Sequence, residues 1–167
     1  MKKSLTMLAV LCSAILAFAA EPENLIKEPM TISNPKTTVF ENGVYTVTNP
    51  DEKTGSLLKY KIVLNQTDPT AITFAAEAKA IDNPEKNYGM NFGMYLSATF
   101  TDGTKLSYIN IGFGPKNFDW KMVYRPFDFK KPVKELDVVI QYNKIKGQVA
   151  FRNPQVYIGK SKPAPAK

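Results

Sequence analysis

Histidine is absent from this 167-residue chain, and cysteine occurs once, at Cys12. For a mature protein that begins after residue 19, those gaps exclude thiol nucleophiles, Ser-His-Asp triads, imidazole acid–base chemistry and the common His/Cys zinc sites. Any catalysis would have to draw on carboxylates, Lys, Tyr or an oxygen-ligated metal. No disulfide can staple the fold, so burial alone must hold it, which a domain of somewhat under about 150 residues can manage.

Long apolar runs are also missing. The run at residues 5–16 is shorter than the roughly 20 residues a membrane span needs, and Glu21 and Glu23 soon follow it. With Lys2 and Lys3 before it and Ala17-Phe18-Ala19 after it, residues 1–19 read as an export signal cleaved before Ala20. Leu11 is too large for a lipoprotein site at Cys12, so Cys12 reads as signal filler. The expected location is secreted or periplasmic, with no membrane span in the mature chain. Losing Lys2 and Lys3 takes the formal charge from +7 to +5. Lys160, Lys162 and Lys167 sit in or beside a Pro-Ala terminus, which leaves a modest surface excess suited to anionic glycans or envelope surfaces. The lysines form no nucleic-acid motif with aromatics, and no nucleic-acid partner is expected.

What is present is strand grammar. Met94, Leu96, Ala98 and Phe100 alternate with Tyr95, Ser97, Thr99 and Thr101; after Asp102-Gly103, Ile109, Ile111 and Phe113 alternate with Tyr108, Asn110 and Gly112. Two period-two runs joined by Asp-Gly predict a hairpin with one core face and one face that is polar and aromatic together. Further strands are predicted at 30–33, 37–40 and 44–48, with turns at Asn34-Pro35 and Asn42-Gly43. At 57–65, Leu58, Tyr60, Ile62 and Leu64 oppose Lys59, Lys61 and Val63, so the lysines should face water. Residues 71–80 are alanine-rich, yet Phe74, Ala76, Ala78 and Ala80 alternate against Ala75, Glu77 and Lys79, which favours a strand over a helix. Residues 120–129, 136–143, 148–152 and 155–158 complete the set, the last two interrupted by Asn153-Pro154. With no solenoid repeat and no amphipathic helix, the fold class is all-β. Residues 20–36 form a lead with the first strand, 37–159 the sandwich and 160–167 a flexible Pro/Ala/Lys tail.

In order and spacing, Gly43-Val44-Tyr45-Thr46-Val47, Thr73-Phe74-Ala75-Ala76-Glu77-Ala78-Lys79, residues 95–103, Asp119-Trp120 and Gly147-Gln148-Val149-Ala150-Phe151 resemble the jelly-roll carbohydrate-binding modules of the galactose-binding-like superfamily, of the family four, nine and twenty-two type. The resemblance spans residues 40–158. It implies a jelly-roll β-sandwich of two antiparallel sheets, carbohydrate binding, and a packed role for Trp120 covering an end of the core. It departs at Phe151-Arg152-Asn153, where such modules often carry an acid that helps hold a structural calcium. A guanidinium there disfavours a Ca²⁺ site, although Glu41, Asn153 and backbone carbonyls could supply oxygens. No cofactor is expected.

Sugar rings offer an apolar C–H face and a hydroxyl rim, so a glycan-binding sheet needs exposed aromatics beside amides or arginine. Tyr95, Tyr108, Asn110, Tyr124, Arg125 and Gln141 meet that need by type, against the simpler reading that tyrosines are good strand formers. The face of Tyr124 and Arg125 stays open: Arg125 points inward if Val123 and Phe127 do, and outward if Trp120, Met122 and Tyr124 point in. Glu135-Leu136-Asp137 looks like the start of a jelly-roll glucanase motif, but Val138-Val139-Ile140 follow where a second catalytic carboxylate is required. Asn65-Gln66-Thr67 is a sequon with meaning only in a eukaryotic secretory pathway. The chain is expected to be a non-catalytic binder of a polysaccharide or oligosaccharide, with anionic glycans among the candidates. The alternative is a cell-envelope sandwich that binds another protein.

Overall fold

The computed structural model describes residues 22–84 and 89–166. The export signal and Cys12 lie outside the described residues. Ten strands are present there: β1 (Thr31–Ile32), β2 (Thr38–Glu41), β3 (Val44–Asn49), β4 (Gly55–Val63), β5 (Ala71–Asp82), β6 (Phe92–Phe100), β7 (Lys105–Gly112), β8 (Phe118–Asp128), β9 (Val133–Asn143) and β10 (Gly147–Ile158). They form two antiparallel five-stranded sheets, β1-β4-β9-β6-β7 and β2-β3-β10-β5-β8, packed as a jelly-roll sandwich. Among the described residues no helix is long and apolar enough to cross a membrane.

The alternation in each strand decides which side chains meet between the sheets. Leu58 and Ile62 of β4, Met94, Leu96 and Ala98 of β6, and Leu136, Val138 and Ile140 of β9 face Val47, Ile72, Phe74, Val149 and Phe151 of the other sheet. Phe92 joins Phe113, Phe118, Tyr142 and Phe151 in an aromatic cluster with ring centroids 5.3 to 6.0 Å from Phe92. The alanine-rich stretch is a strand because β5 is paired on both sides, by β8 and β10. Two ladders and a buried face outweigh alanine's helix preference, which is only about 1 kcal/mol per residue at most against ordinary residues.

Three expectations are corrected. The break predicted at Asn153-Pro154 is a bulge inside the continuous strand β10: the register shifts between Arg152 and Gln155, and Asn153 takes a φ of 50°. Proline fits there because it has no N–H to place in the ladder. Asn24 ties the N-terminal lead to this bulge, donating to the Pro154 carbonyl at 3.0 Å and accepting from the Val156 N–H at 2.9 Å. The tail expected to be free lies against the second sheet: Pro163 is buried, and the Ala164 carbonyl accepts hydrogen bonds from Gln155 and Asn153. Trp120, expected at an end of the core, is instead on the outer side of that sheet. There its ring stacks on the Arg152 guanidinium, 4.1 Å from the ring centroid.

Candidate functional site

Cross-strand register assembles the outer face of the first sheet into rows. Thr31, Lys59, Val139, Tyr95 and Asn110 form one row across all five strands. Lys61, Asp137 and Ser97 form the next, and Leu57, Gln141, Gly93 and Gly112 lie on the other side. An open groove of about 810 Å³ runs over these rows, lined by Leu57, Lys59, Lys61, Tyr95, Tyr108 and Asp137 among others. Glu28 and Pro29, held in the lead, form its far wall, while Tyr95 and Tyr108 form its near wall.

Tyr108 reaches this position through a bulge. Leu96 pairs with Ile109 and Ala98 with Leu106, so Ser107 and Tyr108 together stand opposite the single residue Ser97. Tyr108 adopts a φ of 63°, unusual for an aromatic residue, and is 63% exposed. Its ring lies 5.3 Å from that of Tyr95 at 47°. Burial, and then the neighbouring Tyr108 and Asp137, raise the Tyr95 hydroxyl above its ordinary value of 10.0, so it remains a neutral donor.

Beyond Tyr95 the groove meets a smaller notch of about 310 Å³ lined by Gly93, Gly112 and Asn110. A side chain at Gly93 would place its Cβ 2.5 Å from the Ile111 carbonyl oxygen, so this close pairing of β6 and β7 needs glycine. Gly93 is buried by this close pairing, and Gly112 is exposed beside the aromatic wall.

Charge across the face is mixed. Lys61 bridges Glu135 at 3.4 Å and Asp137 at 3.8 Å. Lys59 has no ion-pair partner among the described residues, and it stands beside Val139 in the row of Tyr95. The described residues hold no cluster of three or more His, Cys, Asp or Glu suited to a metal ion. Asn153, one of the oxygens considered for calcium, donates its amide N–H to Glu77 at 3.1 Å and to Ala164 at 3.0 Å.

Of the six residues singled out from the sequence, the structure brings Tyr95, Tyr108 and Asn110 together and puts Gln141 one row away. Gln141 donates its amide N–H to the Met90 carbonyl, holding the short 3₁₀ turn Gly89–Asn91 beside the notch. Tyr124 and Arg125 belong to β8 in the other sheet and do not share this face. Val123 and Phe127 pack inward and Arg125 with them: its Nη1 donates to the Asn110 carbonyl at 2.7 Å, bracing β8 against β7. Tyr124 points outward on the second sheet. Sequence reasoning passed over Lys59, Lys61, Asp137 and the lead wall at Glu28 and Pro29. Alternation had placed the lysines on a wet face; only the register Lys59–Val139–Tyr95 makes it the face of the tyrosines.

No protein-family model and no curated protein sequence matches the chain. Several solved structures are similar. One is the C-terminal family 22 carbohydrate-binding module of Clostridium thermocellum Xyn10B, at 13% identity and a TM-score of 0.49, over 86% of this chain and 100% of that one. Another is a family 16 carbohydrate-binding module, at 11% identity and a TM-score of 0.48, over 77% of this chain and 84% of that one. A third is the enzymatically active domain of Bacteriophage CBA120 tailspike protein 4, at 11% identity and a TM-score of 0.49; 79% of this chain aligns with only 18% of that one.

Proposed function

We propose that this protein is an exported, non-catalytic glycan-binding sandwich that holds a sugar chain along the outer face of β1-β4-β9-β6-β7. The observation that carries the reading is the Tyr95–Tyr108 pair, which stands as one wall of an open groove whose other surfaces mix apolar side chains such as Leu57 and Val139 with polar ones such as Lys59, Ser97 and Asp137. Apolar sugar faces would lie against the tyrosine rings, while Asn110, Ser97, Asp137 and Lys59 would meet the hydroxyl rim. The face is built on paired strands, so little ordering is needed on binding. The export pattern at residues 1–19 supports a secreted or periplasmic site of action. Non-catalytic action is supported by the lack of histidine and by Lys61, which engages both Glu135 and Asp137.

A polysaccharide array followed by titration of the best ligand tests this. Saturable binding should weaken by at least about tenfold in Y95A/Y108A, the loss expected when two stacking rings are removed at about 1 kcal/mol each, with cooperative unfolding retained. Undiminished binding in that variant sinks the site, and release of reducing ends sinks the non-catalytic reading. A protein-binding role is the second reading, favoured by the edge strand β2, where Val39 is 54% and Phe40 38% exposed. Copurification of a protein partner with no glycan bound would support it instead.

A further inference from the structure

The outer face of the second sheet carries a different arrangement. Its register gives three rows: Pro126, Thr73 and Tyr157; Tyr124, Ala75 and Gln155; Met122, Glu77 and Arg152. On this face β5 presents the small Thr73 and Ala75, and then Glu77, between taller flanks, two of them aromatic. Thr73 and Ala75 are completely buried although they point away from the core, and Glu77 is 3% exposed. What covers them is the chain's own end. At Gly159, with a φ of 99°, the backbone reverses and runs back over β5. Thr73 Oγ1 donates to the Gly159 carbonyl at 2.7 Å and accepts from the Ser161 N–H at 3.3 Å. The Ala164 carbonyl accepts from Gln155 at 2.8 Å and Asn153 at 3.0 Å, and the Ala166 N–H donates to Glu77.

We propose that this face is a peptide-binding groove for an extended, proline-bearing segment, and that residues 160–166 are its ligand bound in cis. Three features distinguish a ligand from a part of the fold. First, residues 160–166 add no strand to either sheet and no side chain to the core cluster; both sheets are complete at Ile158. Second, apart from the Lys160–Asp128 ion pair, the contacts run from groove side chains to tail backbone. Pro163 and Pro165 have no N–H to satisfy, and alternating prolines favour an extended conformation that loses little entropy on docking. Aromatic-flanked troughs bind such segments in this way.

Third, the groups that grip the tail are held by contacts of their own. Arg152 fixes Glu77 Oε2 from Nη2 at 2.7 Å and Nε at 2.8 Å, and Trp120 stacks on the guanidinium. That leaves Glu77 Oε1 aimed at the tail. The Tyr157 hydroxyl donates to Gln155 Oε1, turning the amide N–H of Gln155 toward Ala164. A free peptide must compete with a tethered one, whose effective concentration over so short a linker is on the order of millimolar.

The experiment uses the full chain carrying P163D, which unseats the buried proline, and a fluorescent peptide of residues 160–166 with an amidated end. P163D should fold cooperatively and bind the peptide saturably. The wild-type chain should bind at least about tenfold more weakly, because its own tail occupies the groove. Adding N153A/Q155A to P163D, or replacing both prolines of the peptide with alanine, should weaken binding severalfold. The proposal is overturned if a folded P163D shows no saturable binding, if it binds no better than wild type, or if the all-alanine peptide binds equally well. A P163D chain that fails to fold also overturns it, since a ligand can be lost without losing the fold. None of these outcomes depends on glycan binding at the other sheet.

Discussion

Tyr95 and Tyr108 come from opposite strands of one hairpin, and their rings meet at 5.3 Å because a bulge opposite Ser97 turns the Tyr108 backbone left-handed. The strained residue and the exposed aromatic are one and the same. Backbone strain retained at an exposed position is characteristic of binding sites.

That coincidence separates stability from binding. Y108G should be more stable than Y108A by about 1 kcal/mol, because glycine adopts a positive φ freely and alanine does not. Both should lose glycan affinity alike, since both lack the ring. Urea unfolding and a glycan titration on the same preparations check the pair. Equal stability of the two variants would show that the backbone relaxes when the ring is removed.

Lys59 should set a preference for acidic sugars. As the cation in the Tyr95 row without an ion-pair partner among the described residues, it can pair with a uronate carboxylate. K59M should therefore weaken binding of a uronate-bearing glycan by about tenfold, the size of one charge-assisted hydrogen bond. Binding of the neutral parent glycan should change little. A parallel loss on both glycans would make Lys59 a contact without selectivity.

Arg152 and Glu77 form the most enclosed ion pair among the described residues. R152M leaves a buried carboxylate uncompensated and should destabilise the chain by about 3 kcal/mol. E77Q/R152M should cost less than R152M alone, because the remaining amide carries no charge. Chemical denaturation of the three variants reads the difference. Trp120 emission in R152M should also change, as the guanidinium stacked on the only tryptophan is gone.

Acid should act on this pair. Burial raises the Glu77 pKa, but the Ala166 N–H, Arg152 and Asn153 outweigh burial and hold it below its ordinary 4.5. A depressed carboxyl contributes stability that is complete above the unfolded value and is lost as pH falls through the lower folded one. Wild-type stability should therefore decline below about pH 4.5 as the pair is titrated, and E77Q should flatten that decline. Thermal unfolding between pH 2 and pH 6, with E77Q alongside, measures it.

A core substitution calibrates these effects. Phe74 is fully buried on the inner face of β5, and F74A should cost about 3–5 kcal/mol through lost burial and the cavity left behind. Its glycan affinity should be unchanged wherever the protein remains folded, because Phe74 belongs to the sheet that does not carry the Tyr95–Tyr108 groove.

Much of the fold was legible because β periodicity is local. Alternation in residues 94–113 placed Tyr95 and Asn110 on the wet face of one hairpin, and the alanine-rich stretch declared itself a strand through the positions of Phe74 and Glu77. The candidate site was legible only within that hairpin. Tyr124 carries the right chemistry, but its strand closes the other sheet. Arg125 was left with two possible faces until the Asn110 carbonyl appeared as its partner. Gln141 looked like a ligand amide and is engaged by the Met90 carbonyl.

Determined by the sequence itself were the all-β class, the exclusion of histidine chemistry, and the side that meets water in strands with clear alternation, such as those of the residue 94–113 hairpin. These follow from residue type and a two-residue period. Tertiary structure alone decided that Lys59, Val139 and Tyr95 share a row, that Trp120 lies on Arg152, and that a Pro-Ala end of no evident folding capacity lies across β5. Each depends on strand register or on a reversal such as that at Gly159. Pairings between residues tens of positions apart are set by which strands neighbour one another and in what register, and no local pattern of side chains encodes that choice.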